Sequence, residues 1–138
     1  MQHPHMRCLL IDDRIEEHLL FKNALEMTGL AVTCEYATNA NKELEALKRS
    51  EPSQLPHIIF LDVYMSGMDG KMFLNAIKQE ENLKKIPVYM YTSSTDNADI
   101  QELIKGGSAY YIIKTANIES LSKSLKVLLG RMVNTIQI

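Results

Sequence analysis

Short apolar runs alternate along the chain with longer segments in which apolar residues recur every three or four positions. Runs rich in β-branched and aromatic residues are typical of strands, whereas the longer period is typical of amphipathic helices. The predicted strands cover residues 7–11, 31–36, 57–61, 88–91 and 110–113. The predicted helix faces contain Ile15, Leu19, Ala24 and Met27; Ala40, Leu44 and Leu47; Phe73, Leu74 and Ile77; Ile100, Leu103 and Ile104; and Ile118, Leu121, Leu125 and Leu128.

This order, a strand followed by a helix five times, predicts an α/β fold with a doubly wound five-stranded parallel sheet and helices on both faces. Strands joined through helices run parallel, with right-handed crossovers. Four runs are nearly continuous in apolar character, as strands covered on both faces are. In the second run Val32, Cys34 and Tyr36 alternate with polar residues, which predicts a strand at the edge of the sheet.

Capping and breaking residues predict where some helices begin and end. The pair Thr38-Asn39 and the residue Asn117 are placed to open the second and fifth helices, because a short polar side chain can accept a hydrogen bond from the first helical turn. Gly29 and Gly130 are placed to end the first and fifth helices, since glycine readily adopts the backbone conformation that terminates a helix.

Length and composition limit the class of protein. The chain has 138 residues, and one domain typically needs about 100 to 150 residues. We expect a flexible N-terminus at residues 1–6, one domain at 7–129 and a C-terminal tail at 130–138. The hydrophobic fraction of 46% predicts an ordinary core, and the net charge of −2 disfavours nucleic acids and anionic membranes, which need clustered Lys and Arg.

Cysteine usage and hydropathy favour a cytoplasmic protein. Cys8 and Cys34 lie inside apolar segments and lack the spacing of a disulfide framework, so we expect two reduced, buried thiols. The longest apolar run near the start, residues 8–11, is too short for a signal peptide or a membrane span. We therefore expect neither export nor membrane insertion.

Polar side chains follow four of the five predicted strands at the point where each strand ends. They are Asp12 and Asp13 after the first strand, Asp62 after the third, Thr92 after the fourth and Lys114 after the fifth. In an open parallel sheet, ligands bind beyond the carboxyl ends of the strands. Three carboxylates, a hydroxyl and an ammonium group are therefore predicted to meet at one rim of the sheet.

These groups suit a metal ion and a phosphoryl group. Neighbouring carboxylates raise one another's pKa unless a cation neutralises them. Oxygen ligands favour Mg²⁺ over Zn²⁺, and Mg²⁺ commonly also contacts a phosphate. A carboxylate can attack phosphorus while Mg²⁺, Lys114 and the Thr92 hydroxyl hold the charge that develops on the phosphoryl oxygens. We therefore predict that Asp62 is the phosphoacceptor.

Each residue taken alone has a simpler explanation. Asp12 and Asp13 are placed where they would cap the next helix. Thr92 begins the polar run at residues 92–96, which is typical of a loop that opens a helix, and a single lysine such as Lys114 is ordinarily a solvated side chain. Their joint occurrence at the strand ends favours a common site.

Four sequence blocks resemble the receiver domains of two-component response regulators. They are LLIDD at residues 9–13, IIFLDVYMSGMDG at 58–70, IPVYMYTS at 86–93 and YYIIK at 110–114. Their order and spacing match the acidic pair, the phosphorylated aspartate, the switch hydroxyl and the lysine of that family. The resemblance covers nearly the whole chain and implies a flavodoxin-like sheet with the strand order 2-1-3-4-5.

The resemblance implies a set of metal ligands. Asp13 and Asp62 would contact Mg²⁺ directly, and the backbone carbonyl of Tyr64 would be the third ligand from the protein. Asp12 would act mainly through water. In the same family the residue equivalent to Asp62 is the one that is phosphorylated.

The resemblance also implies a switch. Thr92 and Lys114 would contact the phosphoryl group, and Tyr111 would be the aromatic residue that turns inward when Thr92 moves. The affected surface would be formed by the fourth helix, the fifth strand and the fifth helix. It comprises residues 96–105, Tyr110, Tyr111 and residues 117–128.

The length implies a stand-alone receiver domain, as in chemotaxis or phytochrome-linked regulators, with protein docking as its output. The expected partners are a histidine kinase or a histidine phosphotransfer protein and a downstream target protein, with homodimer formation as a further candidate. No nucleic acid or membrane partner is expected. The chain is not expected to be an enzyme beyond its own phosphorylation and dephosphorylation.

Two positions depart from the family pattern. Thr115 follows Lys114 where the family usually has a proline after a cis peptide bond. Because a cis bond before another residue costs about 2.5 to 4 kcal/mol, we expect this loop to differ. Ser66 stands where the family often has proline and is expected to loosen the loop after Asp62.

Two alternative functions stay open at this point. Thr115 is compatible with a scaffold that has the receiver fold and works without phosphorylation. A phosphatase of the haloacid dehalogenase type would also use an aspartate nucleophile and Mg²⁺. That class needs a general acid two positions after the nucleophile, where this chain has Tyr64, so it is the weaker alternative.

Overall fold

The computed structural model describes residues 5–93 and 97–135 of the chain. The strands are β1 (Met6–Ile11), β2 (Val32–Ala37), β3 (Ile58–Asp62), β4 (Val88–Thr92) and β5 (Tyr110–Ile113). The helices are α1 (Ile15–Met27), α2 (Ala40–Arg49), α3 (Gly70–Lys78), α4 (Asn97–Lys105) and α5 (Ile118–Thr135), with a short 3₁₀ turn at Pro52–Gln54. Asp96 of the expected docking surface, residues 1–4 of the expected N-terminus and residues 136–138 of the expected tail lie outside the described residues.

The strands form one parallel sheet in the order β2-β1-β3-β4-β5, which confirms the predicted fold class and strand order. The register aligns the carboxyl ends of the central strands: Ile11 pairs with Leu61, and Asp62 pairs with Tyr91. β2 lies at an edge, as its alternating pattern predicted. β5 lies at the other edge with Tyr110 exposed, so the prediction that its continuous apolar run is covered on both faces is wrong.

Helices cover both faces of the sheet and complete two apolar layers. On one face, buried residues of α2, α3 and α4 pack against Leu9, Ile59 and Val88. On the other face, α1 and α5 pack against Cys8, Leu10 and Phe60. The predicted apolar faces of α2 and α3 are confirmed in full. Asn39 and Asn117 cap α2 and α5 as predicted. Their side-chain oxygens accept hydrogen bonds from the backbone N–H groups of Lys42 and Ser120.

The predicted buried face of α1 is confirmed for Ala24 and wrong for its other three residues. Ile15, Leu19 and Met27 are 71%, 60% and 55% exposed, and Phe21, Ala24 and Leu25 are the buried residues of this helix. α1 carries apolar residues on more than one side, so its own periodicity does not select a face. Packing against α5 and the sheet selects the side that bears Phe21, whose ring is fully buried with its centre 5.0 Å from that of Phe60.

The predicted end of the fifth helix at Gly130 is also wrong, because α5 continues to Thr135. Glycine inside a helix costs about 1 kcal/mol relative to alanine. Leu129 is fully buried, and Met132 and Val133 pack against the same apolar layer, which offsets that cost. At the other end of the chain, β1 begins one residue earlier than predicted, with Met6 fully buried.

Both cysteines are free thiols, as predicted. Cys8 is buried, whereas Cys34 is partly exposed because β2 is an edge strand, so the expectation that both are buried holds for Cys8 alone. Among the described residues, no helix is both long enough and apolar enough to cross a membrane.

Candidate functional site

The carboxyl ends of the strands bring the three predicted carboxylates together. Asp12 follows β1, Asp62 is the last residue of β3, and oxygen atoms of Asp12, Asp13 and Asp62 lie within 4.8 Å of one another. Asp12 and Asp62 are buried, whereas Asp13 is accessible to solvent. Two buried acids at one point in a fold need a source of positive charge.

Lys114 supplies part of that charge. Its Nζ atom lies 2.8 Å from Oδ2 of Asp12 and 3.2 Å from Oδ1 of Asp62, and its side chain is only 10% exposed. Burial by itself lowers the pKa of this ammonium group, but the two carboxylates outweigh burial and the pKa is raised. Lys114 therefore remains charged and bridges two of the acids.

One ammonium group does not balance the site. Burial, and then the neighbouring Asp12 carboxylate, raise the pKa of Asp62 to about 6, although Lys114 and the amide of Tyr64 act in the opposite direction. Three carboxylates meet one lysine ammonium group at this rim, so negative charge is in excess among these residues. The site therefore favours a further cation, and its ligand atoms are oxygens, which suits a hard divalent ion.

Without divalent cations, we expect the free energy of unfolding to fall as the pH rises from about 4 to about 6. The pKa of Asp62 is raised from 3.8 to about 6 in the folded protein, so in this range the folded state binds more protons than the unfolded state. The shift corresponds to about 3 kcal/mol by neutral pH. Urea unfolding at a series of pH values in EDTA measures this slope.

The Asp62→Asn variant isolates the contribution of Asp62 to that slope. Burial also raises the pKa of Glu43, which contributes with the same sign, so the difference between variant and wild type is the quantity to compare. Asp69→Asn is the matched control, because Asp69 caps α3 and asparagine caps helices equally well. If the free energy of unfolding changed with pH equally in wild type and Asp62→Asn, Asp62 would not be the source of this pH dependence.

Backbone amide groups hold the three carboxylates in place. The N–H of Arg14 donates to Oδ1 of Asp12 at 3.0 Å, the N–H of Ser66 donates to Oδ2 of Asp13 at 3.1 Å, and the N–H of Tyr64 donates to Oδ1 of Asp62 at 3.4 Å. A proline at position 66 could not make the second bond, because it has no N–H group. The residue that caps α1 is Arg14, without a side-chain capping bond, so helix capping does not explain the acidic pair.

The loop after Asp62 returns close to the strand, and Gly70 makes this possible. A Cβ atom at Gly70 would lie 2.7 Å from the carbonyl oxygen of Asp62 and 2.9 Å from Cα of Val63, which is too close for any side chain. The N–H of Gly70 donates to the carbonyl of Val63 at 3.0 Å. The first turn of α3 is thereby held against the rim that carries Asp62.

Thr92 and Tyr111 line the same small cavity. Thr92 is buried at the end of β4, and Tyr111 is half-buried on β5. The cavity lies between these strands and α4, and its other lining residues include Met90, Leu103 and Ser108. The neighbouring Tyr110 is exposed, and its ring centre lies 4.6 Å from that of Tyr111.

The Lys114-Thr115 peptide bond is trans, which agrees with the absence of proline at position 115. The backbone N–H of Lys114 donates to the carbonyl of Thr92 at 2.7 Å. Although this loop lacks the proline and the cis peptide bond that are usual in the family, the ammonium group of Lys114 lies between Asp12 and Asp62.

Three residues beside the rim were missed by reasoning from the sequence. Tyr91 is fully buried, its hydroxyl donates to Oε2 of Glu17 at 3.1 Å, and its ring centre lies 5.3 Å from Nζ of Lys114. His18 contacts the carbonyl oxygen of Asp12 through Nε2 at 2.7 Å. The signal available in the sequence was Tyr91 itself, an aromatic residue with a hydroxyl group directly before Thr92. No pattern in the neighbouring sequence links it to Glu17.

Comparison with known proteins assigns a family to the chain. The sequence model of the response regulator receiver domain matches residues 8–126. The chain belongs to the response regulator receiver domain family. This confirms the resemblance identified from the four sequence blocks.

Similar proteins support the assignment to the receiver domain family. The chain is 28% identical over 120 residues to the probable methanogenesis regulatory protein FilR2 of Methanothrix harundinacea, covering 86% of this chain and 77% of that protein. It is 26% identical to the chemotaxis protein CheY1 of Helicobacter pylori, covering 91% of this chain and 98% of that protein. The structure of the phosphorylated cyanobacterial phytochrome response regulator RcpA matches with a TM-score of 0.81 at 24% identity, covering 96% of this chain and 97% of that chain. The receiver domain fold thus extends over nearly all of the chain.

Proposed function

We propose that this receiver domain accepts a phosphoryl group on Asp62, with Mg²⁺ bound beside it, and thereby changes a protein-docking surface. The observation that carries the proposal is the position of the Lys114 ammonium group between the buried carboxylates of Asp12 and Asp62. Lys114 neutralises only part of the charge, and the remaining excess of negative charge is what a metal ion and a phosphoryl group would use. A histidine kinase or histidine phosphotransfer protein is the proposed donor.

The donor set fits Mg²⁺. The three acids offer only oxygen atoms, which lie within 4.8 Å of one another. We propose Asp13, Asp62 and the Tyr64 carbonyl as direct ligands, with Asp12 acting through water. When bound, Mg²⁺ would neutralise the carboxylates and the phosphoryl oxygens.

In the transfer step, an oxygen of Asp62 forms a bond to phosphorus as the bond from phosphorus to the donor's histidine nitrogen breaks. The histidine leaves as neutral imidazole after taking up a proton, and the product is an acyl phosphate. Lys114, 3.2 Å from Oδ1 of Asp62, is proposed to pair with the phosphoryl oxygens. The hydroxyl of Thr92 lies at the end of the adjacent strand and is proposed to donate to them.

The output is proposed to pass through the cavity shared by Thr92 and Tyr111. Phosphorylation places roughly two negative charges at Asp62, and the Thr92 hydroxyl would move towards them. That movement would vacate space which the Tyr111 ring can occupy. The surface formed by α4, β5 and α5 would then bind a downstream target protein differently.

Incubation with Mg²⁺ and a small phosphodonor tests the function, with intact-protein mass spectrometry as the readout. We expect the mass of one phosphoryl group to be added, and we expect chelation of the metal to prevent the addition. The adduct should be labile in base, as an acyl phosphate is. No addition would favour a scaffold that works without phosphorylation, and turnover of phosphate esters without a stable adduct would favour a phosphatase.

The ligand assignment predicts different effects of two substitutions on Mg²⁺ affinity. Asp13→Ala removes a direct ligand and should weaken binding by at least about tenfold, since loss of even an indirect ligand partner typically costs that much. Tyr64→Ala should leave the affinity within about twofold of the wild type, because the proposed ligand is the backbone carbonyl and the side chain is exposed. Titration calorimetry measures both. Equal losses would show that the ligand set is wrong.

A further inference from the structure

We infer that Tyr91 is a positioning residue that orients the ammonium group of Lys114 and ties this orientation to helix α1. The inference rests on the proposed function, in which Lys114 contacts the phosphoryl group. Three observations carry it: the place of the Tyr91 ring beside Lys114, the bond from the Tyr91 hydroxyl to α1, and the complete burial of Tyr91.

The ring of Tyr91 lies where it can attract the ammonium group. Nζ of Lys114 is 5.3 Å from the centre of the ring, and a lysine within about 6 Å of an aromatic ring face is attracted by the ring's electrons. Both groups are largely shielded from water, which strengthens this attraction. The ring is held in turn by Phe21 of α1, whose centre is 5.5 Å away in an edge-to-face arrangement.

The hydroxyl of Tyr91 fixes the rotation of the ring. It donates a hydrogen bond to Oε2 of Glu17, which lies in the first turn of α1, at 3.1 Å. Burial, and then the Glu17 carboxylate, raise the pKa of the Tyr91 phenol, so it remains a donor. The next residue of α1, His18, contacts the carbonyl oxygen of Asp12. α1 therefore holds the rim at two points, one of them through Tyr91.

Lys114 requires a contact that holds its ammonium group and does not change when Asp62 is phosphorylated. Among the described residues its ionic partners are Asp12 and Asp62, and the charge and shape of Asp62 would change when a phosphoryl group is added. The Tyr91 ring is uncharged and lies in the apolar layer formed with α1 and α5, so phosphorylation of Asp62 does not alter its charge. It can therefore keep the ammonium group facing the rim while Lys114 exchanges a carboxylate for phosphoryl oxygens.

Four variants separate the ring from its hydroxyl. Tyr91→Leu removes the ring, Tyr91→Phe keeps the ring and removes the bond to Glu17, and Glu17→Gln keeps an acceptor for the hydroxyl. Tyr89→Leu is the matched control, because Tyr89 lies two residues earlier on the same side of β4 and its ring packs against Phe60.

The first readout does not depend on phosphorylation. In metal-free wild type, the ε protons of Lys114 should show an upfield NMR shift caused by the Tyr91 ring. Tyr91→Phe and Tyr89→Leu should keep the shift, and Tyr91→Leu should lose it. Absence of the shift in the wild type would overturn the inference, even if Tyr91→Leu failed to fold.

The second readout is the rate of phosphorylation by a small phosphodonor with Mg²⁺. Tyr91→Leu should lower the rate by about tenfold, Tyr91→Phe should restore most of it, and Tyr89→Leu should stay near the wild type. Glu17→Gln should resemble the wild type, because the hydrogen bond is kept. An unchanged rate in Tyr91→Leu, or the same loss in Tyr89→Leu, would overturn the inference. If the wild type accepted no phosphoryl group, the proposed function would be refuted. The NMR shift of the Lys114 ε protons would still test whether the Tyr91 ring lies beside the ammonium group.

Discussion

The Asp62→Asn variant should incorporate phosphate at least about 1,000-fold more slowly than the wild type, because it lacks the nucleophile. Asparagine has the size of aspartate and keeps an oxygen that can accept the N–H of Tyr64, so the fold should be retained. Removing one of two buried acids should even stabilise the metal-free protein, since burial and Asp12 raise the pKa of Asp62. The measurement is the rate of phosphoryl addition with Mg²⁺ and a phosphodonor, followed by mass spectrometry.

Peptide mapping completes this test. The phosphoryl group of the wild type should lie on Asp62 alone, because of the three acids Asp62 is the one that both contacts Lys114 and lies on β3, the neighbour of the strand that ends at Thr92. Asp69→Asn, which preserves the cap of α3, should be phosphorylated like the wild type. Phosphate on Asp12, Asp13 or a histidine, or normal incorporation by Asp62→Asn, would show that the nucleophile has been assigned wrongly.

The second large effect is expected from Thr92→Ala, which should separate phosphorylation from output. Asp62, Lys114 and the acidic cluster are unchanged in this variant, so phosphate should still be accepted, within about tenfold of the wild-type rate. The Tyr111 ring should no longer respond, because the hydroxyl proposed to move towards the phosphoryl oxygens is absent. Chemical-shift mapping with beryllofluoride as a phosphate mimic measures the response.

In the wild type, beryllofluoride should shift resonances at Tyr111 and across α4, β5 and α5, as well as at the rim. Thr92→Ala should show the shifts at the rim alone. Thr92→Ser is the matched control, since serine keeps the hydroxyl and should restore the response at Tyr111. If the wild type changed only near Asp12, Asp13 and Asp62, the proposed switch would be refuted.

The order of the elements and the rim of the sheet were predictable because they depend on local patterns. Strands that are buried on both faces have continuous apolar sequences. Parallel strands joined by helices must have their carboxyl ends at one edge of the sheet. The residue after each apolar run, such as Asp12 or Lys114, therefore had a predictable place in space. Helix starts with a capping asparagine were predictable for the same reason, since the capping bond of Asn39 or Asn117 spans only three residues.

Other features depended on contacts between distant parts of the chain. The buried face of α1 was predicted wrongly because Ile15 and Leu19 are as apolar as Phe21, and packing against the sheet and α5 decided between the two sides. The prediction that Gly130 ends α5 failed because buried Leu129 and its neighbours outweigh the low helix propensity of glycine. In both places tertiary packing overrode the local preference.

The fold class, the strand order through the family resemblance, and the grouping of the acids with Lys114 at the rim were all predictable from the amino-acid sequence. The folded structure was needed to show that Lys114 bridges Asp12 and Asp62, and that Tyr91 joins this lysine to Glu17 of α1. Local pattern reports which face of the sheet a residue occupies, because side chains alternate along a strand. It does not report distances between side chains that lie far apart in the chain, and the charge balance and the pKa of Asp62 depend on those distances.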